Sequence, residues 1–431
     1  MKYPVNNLDD AYNACNPDKP LEAGDLRYLD LNEVRNKQSM GVIATRIKRR
    51  TQSQDFCKQL ITGHTGCGKS TELKRLQKKL EDELNFVVFI DTQSSLDLQS
   101  ITYQDILLNI AQGIISALNK QAINLGTQFI QDLEQWFAEK IITADYINES
   151  KASVTAKAKA GIKVPLIAEL LSSLTGEIRS GSSRRIQIRK NIQREQQVFI
   201  AHLNDLLLAA RIELKKQGYI ELIIIVDGLE KIKDTEVYSD LFLKHSEQLS
   251  EIQSHVLYTI PVALGFDSNL GNYFAGGAFF IPMVKYQSVA GKQHLFDLVA
   301  KRIIVADIFA NEDLLYDLIT MSGGSVRDLL RLICFATETD SDKIQADDVQ
   351  RAINTLVIEY DLLVKQEDIP LLKQVMLEKR IVKTEDRKYE RLLMSRLVHE
   401  YRNGSSWAAL HPALTKIDWL QTALAENDAG E

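Results

Sequence analysis

A run of eight residues, Gly63-His64-Thr65-Gly66-Cys67-Gly68-Lys69-Ser70, satisfies GxxxxGK[ST] in full. Each residue type has a physical task in that pattern. Glycines let the backbone turn so that successive N–H groups converge on an anion. The start of the helix that follows adds partial positive charge at the same place. Lys69 is expected to reach the β- and γ-phosphates of a nucleoside triphosphate, Ser70 to ligate Mg²⁺, and Thr71 to contact the α-phosphate. The triphosphate is read as ATP, held by Gly63, His64, Thr65, Gly66, Cys67, Gly68, Lys69, Ser70 and Thr71. Cys67 is read as a small filler rather than a redox switch.

The second chemical constellation is LIIIVDGLEKI, residues 222–232. An apolar run ending at Asp227 fits a buried strand that delivers a carboxylate beside the phosphate loop, where it would hold the Mg²⁺ shell. Glu230 lies three residues on. It either polarises an attacking water as a catalytic base or caps and pairs at the strand end. Lys69 and Asp227 stand 158 positions apart, a distance that inserted helices would fill.

These residues need a frame, and the hydrophobic pattern supplies one. Phe56–Thr62 reads as a strand, and Leu73, Leu76 and Leu80 recur as one face of a helix. Phe86–Ile90 is a continuous apolar run suited to a parallel strand. Gln197–Gln217 reads as a long amphipathic helix stopped by Gly218, feeding the strand Leu222–Val226. Further strands are expected at His255–Ile260 and Phe279–Val284. Strands alternating with helices predict a parallel, three-layer α/β domain. The expected division is 1–55 as an N-terminal linker and pocket segment with a helix over Leu31–Arg49, 56–289 as the core with 151–195 inserted, 290–360 as a small helical lid domain and 361–431 as a C-terminal module.

One more motif allows a family to be named. SGGSVRDLLRL, residues 322–332, contains Gly324-Ser-Val-Arg327, which resembles the GxxR sensor-2 element of AAA+ and STAND ATPases. With the phosphate loop as Walker A and Asp227 as Walker B, residues 56–335 follow the motif order of that P-loop superfamily. The resemblance implies a catalytic or sensing role for Arg327, touching the γ-phosphate from a lid. It also implies a sensor-1 strand, HVLYTIP, with Thr259 as its polar residue. The DGLE form is more similar to STAND and initiator-type relatives than to the DE of standard AAA+ proteins. It implies slow hydrolysis and a switch that binds ATP, opens, and associates with itself or with a separate protein effector. At the level of fold analogy it extends to ATPases of bacterial anti-phage systems.

Ile369–Glu378 and Asp386–Leu393 read as helices, and Asn403-Gly404 as a hairpin turn. Two helices and a hairpin resemble a winged helix, which binds DNA in initiator ATPases and packs internally in STAND proteins. The alternative function is therefore a DNA-binding, initiator- or transposition-like ATPase. Its contact would be 378–402, with eight basic and five acidic residues, or the island 151–195, with ten basic and three acidic. Arg184, Arg185 and Arg189 in that island are candidates for an arginine finger. The island also reads as a partner surface, a membrane-lying helix at VPLIAELLSSL, or a solvated insertion.

The remaining composition works by exclusion. Net charge is −6, so with +7 in the island the rest of the chain carries −13, which argues against a general nucleic-acid coat. No stretch reaches the ~18 apolar residues of a membrane span. The N-terminus lacks the basic start and apolar core of a secretory signal. Cys15, Cys57, Cys67 and Cys334 form no CxxC pair, which argues against zinc or a disulfide framework and fits a cytoplasmic protein.

Overall fold

The computed structural model describes residues 2–35, 39–141, 166–381, 383, 387–403 and 405–426. After a short helix α1 (Leu8–Cys15) and a second, α2 (Gly41–Gln52), strand β1 (Lys58–Thr62) runs into the phosphate loop and helix α3 (Lys69–Asp82). Then follow β2 (Phe86–Asp91), helices α4 (Tyr103–Lys120), α5 (Leu166–Ser180), α6 (Ser183–Arg194) and α7 (Gln196–Lys216), β3 (Leu222–Asp227), β4 (His255–Thr259) and β5 (Ala278–Phe280). The five strands form one sheet in the order β2-β3-β4-β1-β5, parallel throughout. This is the three-layer P-loop α/β core that the strand–helix alternation predicts.

The layering follows from the period of two along a strand. Ile61, Ile223, Ile225, Leu257 and Phe279 point to one face, where Ile43 and Ile47 of α2 and Leu73, Leu76 and Leu80 of α3 cover them. Leu60, Val88, Ile224, Val226 and Tyr258 point to the other face, against α4, α5 and α7. Burial on both faces explains why β3 is an uninterrupted apolar run.

Of the basic island, residues 151–165 lie outside the described residues. The remainder folds as α5 and α6, a helical pair packed on α4. Arg185 donates to Asp97 at 2.9 Å and Ser100 at 2.8 Å, and Arg189 pairs with the buried Asp105. Arg184 pairs with Glu177 at 3.5 Å, so all three candidate finger arginines are bound within their own chain, as staples of an insertion.

Beyond the core, helices α8 (Val289–Ala300), α9 (Asp313–Met321), α10 (Val326–Thr337) and α11 (Ala346–Asp361) build a helical lid. The C-terminal module consists of α12 (Ile369–Glu378), α13 (Lys388–Met394), the hairpin β6 (Val398–Asn403) and β7 (Ser405–Leu410), and α14 (Asp418–Ala425). The hairpin forms as the Asn403-Gly404 signal predicts, with Asn403 opposite Ser405, although Gly404 lies outside the described residues. The lid, the module and α1 with Leu31 and Val34 share a second hydrophobic core. The N-terminal segment is therefore split, with its start packed on the lid and α2 packed on the sheet.

Two expectations need correction. The helix over Leu31–Arg49 is a single 3₁₀ turn, Asn32–Val34, and then α2. Arg35 breaks the path with φ −108° and ψ −108°. The strand expected over Phe279–Val284 ends at Phe280, because Pro282 has no N–H to give and Val284 instead donates to Gly324 of the lid at 3.3 Å.

Candidate functional site

The phosphate loop leaves β1 through three glycines with left-handed or related backbone, Gly63 (φ +152°), Gly66 (φ +93°) and Gly68 (φ +93°). At Gly66 a Cβ would lie 2.8 Å from Ser325 Oγ and 2.9 Å from the Arg327 Cβ. Glycine is required there both for the turn and because the lid sits directly on the loop. Lys69 opens α3 and is buried. Its Nζ donates to the carbonyls of Gly63 at 2.8 Å and His64 at 3.0 Å. Thr71 Oγ1 accepts from the N–H of Leu21 at 3.2 Å, so the N-terminal segment also borders the loop. Cys67 is fully buried and free.

Asp227, at the end of β3, is 7% exposed, and among the described residues its Oδ1 has no hydrogen-bond partner. Burial and the neighbouring Glu230 carboxylate raise its pKa to about 6, while a hydrogen bond from Ser70 and the Lys69 and Lys231 charges pull the other way. Ser70 and Asp227, the two residues assigned to Mg²⁺ from sequence, are in contact. Glu230 is also buried, and its Oε2 accepts the Gly228 N–H at 3.2 Å. One carboxylate oxygen is therefore engaged by its own turn. Thr259 caps the same turn, its Oγ1 accepting from Gly228 at 2.9 Å and Leu229 at 3.2 Å. Its hydroxyl ties β4 to the acidic turn, a structural task that the sequence pattern leaves unspecified.

The Asp227 shift has a pH consequence. A carboxyl whose folded pKa lies above its unfolded value holds its proton better when folded. Its contribution therefore favours the fold at low pH and is lost as pH rises from about 4 through 6. Asp227→Asn should raise the melting temperature of the nucleotide-free protein at pH 7, by an amount equivalent to roughly 1–3 kcal/mol. The same substitution should remove the Mg²⁺ dependence of nucleotide binding. Thermal melts and calorimetric titrations with and without Mg²⁺ test both halves.

Arg327 is the second residue of α10, and its backbone N–H donates to the Gly66 carbonyl at 3.2 Å. Among the described residues its side chain has no ion-pair partner. It lines, with Lys69, Ser70 and Glu230, a cleft whose cavity volume is about 160 Å³. Lys69, Ser70, Glu230 and Arg327 thus converge on one cavity, and Asp227 interacts with Ser70 of that set. The other wall of the cleft comes from the N-terminal segment, as its reading as a pocket segment expects, but the sequence did not single out its residues Tyr28 and Arg35, or Arg302 from the lid. No periodicity or motif marks these residues. Only their position ahead of β1 could have drawn attention to them.

A buried polar cluster lies behind the loop. His64 Nε2 accepts the backbone N–H of Glu400 in β6 at 2.9 Å, and its ring lies 5.3 Å from that of His399. His399 Nδ1 meets the Gly323 carbonyl at 3.2 Å, and Tyr401 Oη donates to the same carbonyl at 2.7 Å. His399 and His411 rings are 4.9 Å apart, and His411 approaches Asp328 at 3.8 Å. Burial lowers all three histidines, His399 to about 4, so they are neutral and the His411 approach to Asp328 is dipolar rather than ionic. The charge partner of Asp328 is Arg396 at 3.0 Å. Burial alone would raise the Asp328 carboxyl, and the Arg396 guanidinium leads the interactions that more than offset it, holding it below the usual range.

The C-terminal module faces inward. In α13, Tyr389, Glu390, Leu392 and Leu393 are buried, and Tyr238 Oη of the core donates to Glu390 at 2.5 Å. The basic residues of 378–402 are largely engaged within the chain. Arg387 binds Glu390 and Ser239, Arg391 binds Asp368, Arg396 binds Asp328, and Arg402 pairs with Glu400 while lying 3.3 Å from the Phe280 ring. Lys383 donates to the Phe266 carbonyl, and Glu385 and Asp386 lie outside the described residues. As placed here, 378–402 is an intramolecular contact rather than an open basic surface.

No family model matches the chain, and no curated protein matches it. Among solved structures it is similar to Cdc6p from Pyrobaculum aerophilum, at 10% identity and a TM-score of 0.37 over 96% of this chain and 97% of that one. It is also similar to the Orc1 protein of Aeropyrum pernix in complex with DNA, at 13% identity and a TM-score of 0.39 over 96% of each chain. A Walker-type ATPase of Pyrococcus abyssi is similar at 12% identity and a TM-score of 0.39, over 93% of this chain and all of that one. The functional reading rests on the geometry of the loop and cleft.

Proposed function

We propose that this protein is an ATP-binding, slowly hydrolysing molecular switch in which the phosphate loop reports its state to two other parts of the chain. The observation that carries the reading is that one loop touches both. Gly66 binds the backbone of Arg327 in the lid, and His64 binds the backbone of Glu400 in the C-terminal hairpin. Lys69 presently holds the carbonyls of Gly63 and His64. Turning its ammonium to phosphate oxygens releases the His64 carbonyl, and any shift at His64 is felt at β6.

The site fits Mg²⁺ as well, through the unpartnered Asp227 oxygen beside Ser70. The ion would supply charge neutralisation of the phosphates. Arg327 is placed to add positive charge from the lid. Glu230, with one oxygen held by its turn, is the residue to orient water. Its displacement by three positions from Asp227 supports a low turnover.

The switch is tested by mass from light scattering with Mg²⁺–ATP, comparing wild type with Lys69→Ala and Arg327→Ala. ATP-driven association that both substitutions abolish supports the reading. A single mass throughout removes self-association and leaves a separate effector chain as the partner. The effector and the defence role stand on the resemblance alone.

A DNA-binding, initiator-like function is the second reading, favoured by the helix–helix–hairpin form of the module, in which the Lys379 carbonyl ties α12 to the hairpin by accepting from Ala408 of β7 at 2.7 Å. It requires α13 to leave the core, and DNA retention that falls steeply with salt is its test.

A further inference from the structure

One buried cation in the cleft has no role in the reading above. Arg35 is 4% exposed, and among the described residues no carboxylate lies within ion-pair distance of it. Glu72, whose burial-raised carboxyl the Arg35 charge pulls down, accepts from Tyr28 Oη at 3.1 Å and approaches Arg75 at 3.7 Å. Arg35 Nη2 donates to the Cys67 carbonyl at 2.5 Å, and among the described residues its buried Nε has no hydrogen-bond partner. An arginine is rarely buried without an acid, because desolvating a guanidinium costs several kcal/mol.

We propose that Arg35 is a positioning residue of the phosphate loop, contributed by the N-terminal segment. The geometry of one peptide unit carries this. In a trans peptide the C=O and the following N–H point in opposite directions. A guanidinium that holds the Cys67 carbonyl therefore fixes the plane of that peptide and, with it, the direction of the Gly68 N–H. Gly68 sits at φ +93° and has no Cβ to resist rotation of that peptide plane. An external hold is what keeps it in one orientation. Arginine suits this task better than lysine, because its planar fork is pre-organised and always charged. This inference rests on the ATP-binding reading.

The test is calorimetric titration of Mg²⁺–ATP into wild type, Arg35→Ala, Arg35→Lys and Lys69→Ala, with the melting temperature of each nucleotide-free protein measured alongside. Arg35→Ala should weaken ATP binding roughly ten- to a hundredfold, the scale of a hydrogen bond to a charged group, without lowering the nucleotide-free melting temperature. Arg35→Lys should fall between. If Arg35→Ala does not fold, the lysine variant carries the test with the same two readouts. ATP affinity in either soluble variant within about twofold of wild type would overturn the proposal. A loss of affinity that lysine does not moderate, and that comes with a lower melting temperature, would overturn it equally. Failure of wild type to bind ATP would instead sink the nucleotide reading itself.

Discussion

Lys69→Ala is expected to weaken Mg²⁺–ATP binding by a factor of about a hundred or more, the effect of removing charge-assisted hydrogen bonds to two phosphates. Lys69 is the ammonium of the loop itself, and in the nucleotide-free arrangement it spans two loop carbonyls. Its loss removes the cation that trades those carbonyls for phosphate oxygens. The backbone cradle and Arg327 remain, so residual affinity should persist and should depend on Arg327. Calorimetric titration of Lys69→Ala, Arg327→Ala and the double variant measures this directly. The double variant should lose more affinity than either single one.

The second large effect is on stability and lies behind the loop. Asp328→Ala should destabilise the fold by about 3 kcal/mol, the lower end for breaking a buried ion pair, because Arg396 retains 20% side-chain exposure. The Asp328 carboxylate is fully buried and answers Arg396 at 3.0 Å and Tyr360 Oη at 3.2 Å, while its backbone N–H is capped by Ser325. Alanine leaves the guanidinium facing rings and neutral histidines. The sign with pH is the reverse of that at Asp227. Because the Asp328 pKa is held below its ordinary value, its stabilisation is present above the ordinary aspartate range. It is lost as pH falls through the lowered folded value. Denaturant melts of wild type and Asp328→Ala should therefore differ at pH 7 and converge in acid.

The core of the site was legible because its chemistry is local in sequence. The loop is eight consecutive residues, and the apolar run of β3 names both its strand and the acid at its end. The lid arginine was legible from Gly324 and Arg327 alone. The remainder was hidden by distance. Arg35 reaches Cys67 across 32 positions and His64 reaches Glu400 across 336, and neither pairing leaves a periodic signal. The charge count of 378–402, eight basic against five acidic, leaves both a nucleic-acid surface and an internal contact open until the partners are placed. Asp328, Asp368 and Glu390 come from three helices, and tertiary packing decides that the arginines meet them rather than solvent. Thr259 shows the same limit, since a hydroxyl at a strand end does not say whether it faces ligand or caps a turn.

The most direct test of coupling between loop and module is amide hydrogen exchange over residues 388–410, with and without saturating Mg²⁺–ATP, in wild type and in Lys69→Ala. ATP should speed exchange at the backbone N–H of Glu400 and along α13 in wild type, and leave Lys69→Ala unchanged. Unaltered protection in wild type, at a nucleotide concentration shown by calorimetry to fill the site, would contradict the switch.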